Sequence, residues 1–273
     1  MTRQDVLLIH GTWCNGANWG DFAAGLKDRG YRVHTPTLRH HGHPHDIDIW
    51  GNAQKVAKLG LLDYVADLAA LVDTMQTPPI IVGHSIGALI AQLLAARVRC
   101  AGVVLLGPAP AWGMFAMYPS MTRLWVRYLP QWLTRKPMYP VSWNAWTTLI
   151  CNAQPQEIQE SYYRTLCAES GTAYREMALW FLDSKQRARV DFAAVDAPVL
   201  TIAGSEDKCT APRIARVTAE KYEGRGTYVE LRGSDHMMTV GQYLPATLAA
   251  MDEWLAAHGL TPKVAAGQTG SRQ

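Results

Sequence analysis

A serine, an aspartate and a histidine follow one another along this chain, each within a short glycine-containing sequence. Ser85 is the central residue of GHSIG, Asp207 ends AGSED, and His236 ends GSDH. A serine hydroxyl is a weak nucleophile until a base takes its proton and a carboxylate orients that base. The three residues therefore predict covalent catalysis, with Ser85 as nucleophile, His236 as base and Asp207 as acid. The alternatives are a solvated carboxylate at Asp207 and a surface histidine at His236.

The sequence on both sides of Ser85 favours a sharp corner between a strand and a helix. The apolar run PIIVGH (79–84) is typical of a buried strand, and residues 86–98 carry a helical pattern. In this setting G-x-S-x-G holds a nucleophile clear of the sheet edge, and its glycines avoid β-carbons that would collide in the turn. The alternative is a plain strand-to-helix turn that contains a serine.

Two neighbouring carboxylates, Glu206 and Asp235, are rivals of Asp207 for the acid role. A carboxylate after the preceding strand, near Pro108, could reach the same edge of the sheet. That position is empty, because no Asp or Glu occurs in residues 74–156. The order serine, acid, histidine therefore favours Asp207.

Nucleophilic attack on a carbonyl also needs donors that bind the developing oxyanion. Gly11 ends the apolar run DVLLIHG and allows a backbone turn toward the nucleophile. The predicted donors are the backbone N–H groups of Ile86 and Thr12, with Trp13 as the alternative to Thr12.

The elements that must position these residues alternate between short apolar strands and helices. The predicted strands span 5–11, 32–38, 79–84, 101–110, 197–207 and 227–236. The predicted helices between them span 19–29, 63–75, 86–98, 212–223 and 243–257. This alternation predicts an α/β fold with a mostly parallel sheet flanked by helices.

The alternation stops between the fourth and fifth strands. Helices are predicted there near 120–133, 142–151, 155–168 and 172–183, with Ser120 and Ser142 as N-caps. The chain is thus divided into a core (1–110 and 190–260), an inserted helical cap (111–189) and a disordered tail (261–273).

The sequences HGTW, GHSIG, AGSED and GSDH, in this order, resemble the α/β-hydrolase superfamily, in particular its serine-triad carboxylesterases and lipases with a helical cap. The resemblance covers nearly the whole chain outside 111–190. It implies hydrolysis of a small or medium apolar ester through an acyl-serine, without metal or cofactor. Haloalkane dehalogenases and epoxide hydrolases are similar in fold but use an aspartate nucleophile, and Ser85 argues against both.

Other reactions on the same scaffold stay open at this point. Carbon–carbon bond, thioester and lactone hydrolysis, and cofactor-free oxygenation, can all use a serine–histidine pair. Some proteins of this fold bind a ligand without turning it over, but the complete set of Ser85, His236 and Asp207 argues against such a receptor.

An apolar segment after the fourth strand, PAPAWGMFAMYPSM (108–121), lacks helical periodicity. It leaves the sheet at the edge expected to carry Ser85, so it is predicted to contribute to an apolar substrate pocket. The alternative is that its large side chains form the core of the cap. The predicted substrate-binding residues are Trp13, His84, Trp112, Met114, Phe115, Met117 and Met121.

Composition limits the partners and the location. The net charge of +3 is too small to indicate nucleic-acid binding. No apolar run is long enough for a transmembrane helix, and no signal peptide precedes the first strand. Five scattered cysteines, an odd number without CxxC spacing, favour a reduced cytoplasmic protein. Monomer and homodimer both stay open.

Two charged features have no assigned role. Five histidines lie between His34 and His45, but no Cys or carboxylate completes a familiar metal-site spacing, so no metal is expected. The resemblance places this loop beside the active site, with His40 or His41 near substrate and His40 where the common form RGHG has glycine. Residues 74–156 also carry only positive charges, which indicates a solvated face or contact with an anionic surface or substrate.

Overall fold

The centre of this computed structural model, which describes residues 3–262, is a sheet of six parallel strands. The strands are β1 (Asp5–Ile9), β2 (Arg32–His34), β3 (Ile80–His84), β4 (Gly102–Leu106), β5 (Val199–Gly204) and β6 (Gly226–Leu231). Their order across the sheet is β2-β1-β3-β4-β5-β6, with every neighbouring pair parallel. Because all carboxyl ends share one edge, the residues that follow β1, β3, β5 and β6 can meet there.

Eleven α-helices surround this sheet within the described part of the chain. They are α1 (Gly20–Asp28), α2 (Ile49–Val56), α3 (Leu61–Val72), α4 (Ile86–Ala95), α5 (Pro119–Trp125), α6 (Leu129–Thr134), α7 (Trp143–Leu149), α8 (Gln156–Tyr163), α9 (Gly171–Ala178), α10 (Pro212–Glu220) and α11 (Leu244–Ala257). Helices α5 to α9 all lie in residues 107–198, between β4 and β5, which we call the intervening segment. The sequence did not predict α2.

Alternate strand residues pack on opposite faces of the sheet, as the period of two along a strand requires. Val6 and Leu8 of β1 lie in one core with α1 and α11. Leu7 and Ile9 lie in the other core with α3, α4 and α10. The second core continues into the intervening segment, so the segment packs against the sheet domain through apolar side chains.

Proline changes two predictions within the intervening segment. The predicted helix 120–133 is broken into α5, a short 3₁₀ turn and α6, because Pro130 has no N–H to continue the helical ladder. The predicted N-cap at Ser120 is wrong, since Tyr118 occupies that position and Pro119 starts α5. The predicted N-cap at Ser142 is confirmed, because its hydroxyl accepts from the N–H of Ala145.

The loop before α2 has a left-handed backbone conformation at His40, the position where the common form RGHG has glycine. His40 has φ of 65°, which lies in the left-handed region that glycine adopts at low cost. Histidine is one of the few other residues that tolerate it. The loop therefore keeps a glycine-like turn although its glycine is replaced.

A buried ion pair joins this loop to the intervening segment. His41 Nε2 lies 3.2 Å from Glu169 Oε2, and both side chains are inaccessible to solvent. Burial alone would lower the pKa of His41, but the Glu169 carboxylate outweighs burial and raises that pKa above its ordinary value. The protonated, paired form is thus favoured in the folded protein.

Glu169→Gln should lower the free energy of unfolding by about 3 kcal/mol, because it leaves His41 without its carboxylate. The folded pKa of His41 is raised, so its contribution to stability is complete below about pH 6.5 and is lost as pH rises through the folded value. Urea unfolding at mildly acidic and at alkaline pH should therefore give the larger difference between variant and wild type at acidic pH. Glu160→Gln, which removes an exposed pair with Arg164, should cost less than about 1 kcal/mol. An equal effect at both pH values would contradict this role of His41.

Three further predictions concern the cysteines, membrane-spanning helices and the C-terminal tail. All five cysteines are free thiols. Within residues 3–262, no helix has the length and apolar character that crossing a membrane requires. The predicted disordered tail, 261–273, falls almost entirely outside the described residues.

Candidate active site

The corner at Ser85 has the strained geometry that its sequence predicts. Ser85 follows β3 directly, precedes α4, and has φ of 56° and ψ of −122°. A β-carbon at Gly83 would collide with the carbonyl oxygen of Gly87, and one at Gly87 would collide with that of Ile9. The two glycines therefore allow the tight approach of β3, α4 and β1 that this corner needs.

His236 and Asp207 form a buried pair at the same edge of the sheet. His236 Nδ1 donates to Asp207 Oδ2 at 2.7 Å, and the exposed fractions of the two side chains are 3% and 0%. The backbone N–H groups of Cys209 and Thr210 both donate to Asp207 Oδ1 at 2.8 Å. The carboxylate is thus fixed by its own loop and holds the imidazole with Nδ1 protonated, the tautomer in which Nε2 carries the lone pair that a base needs.

The two rival carboxylates have other surroundings. Glu206 is exposed to solvent. Asp235 is fully buried, but it accepts from the backbone N–H groups of Ala153 and Met237. Asp235 therefore fastens the intervening segment to the loop of His236, and the structure pairs only Asp207 with the imidazole among the three.

The charge balance around His236 favours its protonated form. Burial acts to lower the pKa of His236, but the Asp207 carboxylate and the Cys209 side chain outweigh burial and raise it well above the ordinary value. A general base must be neutral when it accepts a proton. A reaction that uses His236 as base should therefore lose rate as pH falls through this raised pKa.

His84, a predicted substrate-binding residue, lies beside His236 and supports its backbone. The two ring centroids are 4.6 Å apart, and His84 Nε2 donates to the carbonyl oxygen of His236 at 2.9 Å. Burial, followed by the nearby His236, lowers the pKa of His84 to about 3. His84 is therefore a neutral side chain at neutral pH.

The predicted oxyanion donors come from two loops at this edge. Ile86 is the first residue of α4, where a backbone N–H has no carbonyl partner within the helix. Thr12 and Trp13 follow β1, and Trp13 has φ of 62°, which turns the chain sharply at this point. The corner of Ser85 and the loop after β1 thus face the same small space.

That space is a cavity of about 20 Å³, enough for about one water molecule. It is lined by Thr12, Trp13, Cys14, His84, Ser85, Trp125, Trp146, Ile150, Cys209, His236 and Met237. A larger cleft of about 320 Å³ lies between α3 and α9 and is lined mainly by charged side chains. It contains neither a serine nor a histidine, so the small cavity is the candidate active site.

The structure brings together Ser85, Asp207, His236, Thr12 and Trp13, but it places most of the predicted pocket residues elsewhere. Only Trp13 and His84 of that set line the cavity. Trp112 packs edge-on against Trp180. Phe115 and Met117 lie at the surface, with exposed fractions of 65% and 70%. Met114 and Met121 are buried beside Thr218 and Ala211, so the apolar segment packs on α10 and the loop before it.

Other residues line the cavity without having been predicted. Cys14 and Cys209 each stand two positions after a predicted site residue, and this proximity is the sequence signal that indicates them. Trp125, Trp146 and Ile150 come from the intervening segment. No local pattern distinguishes them from the other tryptophans there, because their position depends on how α5 and α7 pack over the sheet.

The histidine-rich loop does not assemble a metal site in the described part of the chain. His34 bonds to Asp5 at 2.8 Å, and His43 stacks on His45. His41 is paired with Glu169. Within residues 3–262, no group of three or more potential metal ligands occurs.

Comparison with known proteins identifies the family of this chain. A sequence model of the alpha/beta hydrolase family matches residues 6–250. A pyrethroid hydrolase from Sphingobium wenxiniae is 31% identical over 87 residues, a region that covers 32% of this chain and only 29% of the relative.

Solved structures resemble nearly the whole chain. A pyrethroid hydrolase structure has a TM-score of 0.70 at 19% identity and covers 94% of this chain and 98% of its own. The monoacylglycerol lipase of Paleococcus ferrophilus has a TM-score of 0.64 at 17% identity and covers 93% of this chain and 94% of its own. At such identities the likeness establishes the fold alone. Together with the family match, it confirms the predicted fold class, and the chain belongs to the alpha/beta hydrolase family.

Proposed function

We propose that this protein is a serine hydrolase that cleaves carboxylic esters through an acyl-serine intermediate. Family membership and the pyrethroid hydrolase and lipase neighbours support an ester-hydrolysing enzyme. The observation that carries the serine mechanism is the buried His236–Asp207 pair at 2.7 Å, on the wall of the cavity that also contains Ser85.

The reaction follows from the roles of these groups. His236 Nε2 takes the proton of Ser85 Oγ as this oxygen attacks the ester carbonyl carbon. The N–H groups of Ile86 and of Thr12 or Trp13 bind the carbonyl oxygen as it becomes negative. The intermediate collapses, the carbon–oxygen bond to the alcohol breaks, and His236 returns its proton to the leaving alkoxide. Water then repeats the sequence on the acyl-serine, which releases a carboxylic acid and restores Ser85.

The lining supports an apolar ester of small or medium size as the substrate class. Trp13, Trp125, Trp146, Ile150 and Met237 surround the reacting groups, and they would favour an alkyl or aryl group over a charged one. A cavity of about 20 Å³ admits no ester until its walls separate. Trp125, Trp146 and Ile150 belong to the intervening segment, so we expect substrate entry to involve movement of that segment.

Turnover of p-nitrophenyl acetate and butyrate tests this proposal. We expect steady release of p-nitrophenol, and reaction with a fluorophosphonate probe should place the label on the peptide that contains Ser85. Labelling at another residue, or no turnover of either ester, would contradict the proposal. Turnover of a thioester, lactone or carbon–carbon substrate in the absence of esterase activity would assign the same residues to one of the alternative reactions.

A further inference from the structure

Three hydrogen bonds join Thr12 and Trp13, in the loop after β1, to the intervening segment. Trp13 Nε1 donates to the carbonyl oxygen of Met138 at 3.1 Å, and the N–H of Cys167 donates to the carbonyl oxygen of Trp13 at 2.7 Å. The hydroxyl of Tyr174 lies 2.5 Å from Thr12 Oγ1. Each of these bonds acts on Thr12 or Trp13, the two residues proposed to supply the second oxyanion donor.

Tyr174 differs from the other two partners because it acts through its side chain. Met138 and Cys167 contribute backbone atoms. Tyr174 is 2% exposed, and among the described residues its hydroxyl has Thr12 as its one hydrogen-bond partner. A buried hydroxyl needs a hydrogen-bond partner, and both Tyr174 and Thr12 are buried. Burial of the two hydroxyls therefore favours the bond between them.

Aromatic packing fixes the position of Tyr174. Its ring stacks on Trp132 with centroids 5.9 Å apart and lies 5.2 Å from the ring of Trp125. Trp125 in turn stacks on Trp13 at 5.6 Å and donates from Nε1 to the carbonyl oxygen of Cys209. The hydroxyl is therefore presented to Thr12 by a packed cluster rather than by a freely rotating side chain.

The loop needs this support because its backbone is strained. Trp13 has φ of 62°, a conformation that a bulky side chain rarely adopts unless its surroundings impose it. An oxyanion donor is effective only if its N–H already points at the place where negative charge develops. Small rotations of the peptide groups at residues 11–13 would turn that N–H away.

We propose that Tyr174 is a positioning residue for the oxyanion hole, acting through the hydroxyl of Thr12 on the backbone N–H of the loop. The proposal rests on the proposed ester hydrolysis at Ser85. It assigns to Tyr174 no contact with substrate. It makes the oxyanion hole complete only when the intervening segment is closed over the sheet.

The test is Tyr174→Phe, which removes one oxygen and keeps the ring. We expect kcat on p-nitrophenyl butyrate to fall by about tenfold or more with KM nearly unchanged, because the lost contribution is specific to the transition state. Tyr222→Phe is the matched control, since Tyr222 is equally buried and its hydroxyl bonds to Gln92 Oε1 in the sheet domain. Titration of reactive Ser85 with a fluorophosphonate corrects kcat for any unfolded fraction.

A double-mutant cycle with Thr12→Val separates positioning from general loosening of the fold. Thr12→Val keeps the loop N–H and the side-chain shape but removes the hydroxyl. If both hydroxyls act through one bond, the double variant should be no slower than the slower single variant. Additive losses, a change confined to KM, or a loss no larger than that of Tyr222→Phe would overturn the proposal. These outcomes differ from failure of the proposed function, in which Ser85 itself would be dispensable.

Discussion

Ser85→Ala should lower kcat for p-nitrophenyl butyrate by about 10⁶-fold, to a residual rate set by the oxyanion hole and binding alone. Ser85 is the one serine among the residues that line the candidate cavity, and it stands at the strained corner between β3 and α4, with φ of 56°. The variant should also lose all labelling by a fluorophosphonate. Stopped-flow and long steady-state assays together cover the range of rates needed.

Ser205→Ala is the control for this substitution. Ser205 follows β5 at the same edge of the sheet, and its hydroxyl accepts from the N–H of Gly233 rather than facing the cavity. We expect this variant to keep wild-type kcat. If Ser85→Ala hydrolysed the ester as fast as Ser205→Ala, the serine mechanism would be refuted, whatever the fold.

Asp207→Asn should lower kcat by about 10⁴-fold while leaving the fold intact. The amide that replaces the carboxylate can donate to Nδ1, which favours the imidazole tautomer with its proton on Nε2. That tautomer has no lone pair for the proton of Ser85. Removing the carboxylate also removes the group that raises the pKa of His236, while burial continues to lower it.

The pH dependence of kcat/KM tests the second part of this prediction. In the wild type the acid limb should lie above about pH 6.5, since activity is lost as pH falls through the raised pKa of His236. In Asp207→Asn the limb should move to lower pH. Glu206→Gln is the control, because Glu206 is the adjacent but exposed carboxylate. An effect of Glu206→Gln equal to that of Asp207→Asn would reassign the acid.

The sequence was sufficient to predict the strands of the sheet and the residues that follow them, because both depend on local patterns. Apolar runs of strand length define β3 and β5, and the loops that follow them carry Ser85 and Asp207 only a few residues away. The end of a strand determines where the next few backbone atoms lie. A side chain within a few residues of that end can therefore be placed from the strand alone. Asp235 lies about as close to the end of β6, but its carboxylate accepts from the backbone N–H groups of Ala153 and Met237.

The residues that form the walls of the cavity could not be predicted from local sequence patterns. Trp125 and Trp146 reach the cavity because α5 and α7 fold back over the sheet, and nothing in their neighbouring residues specifies that packing. The apolar composition of the segment 108–121 and its departure from the sheet beside Ser85 predict that Phe115 and Met117 line the pocket, yet both side chains lie at the surface. Hydrophobicity indicates that a side chain favours contact, but not with which partner.

Trp125 joins two loops, since its ring stacks on Trp13 and its Nε1 donates to the carbonyl oxygen of Cys209, and this has a consequence for engineering the protein. Trp13, Trp125 and Cys209 also line the cavity, so under the proposed function we expect substrates to disrupt some of these contacts as they enter and products as they leave. Substitutions that tighten this aromatic cluster should raise the melting temperature and slow turnover at the same time. Selection for heat resistance and selection for speed would then act on the same few side chains in opposite directions.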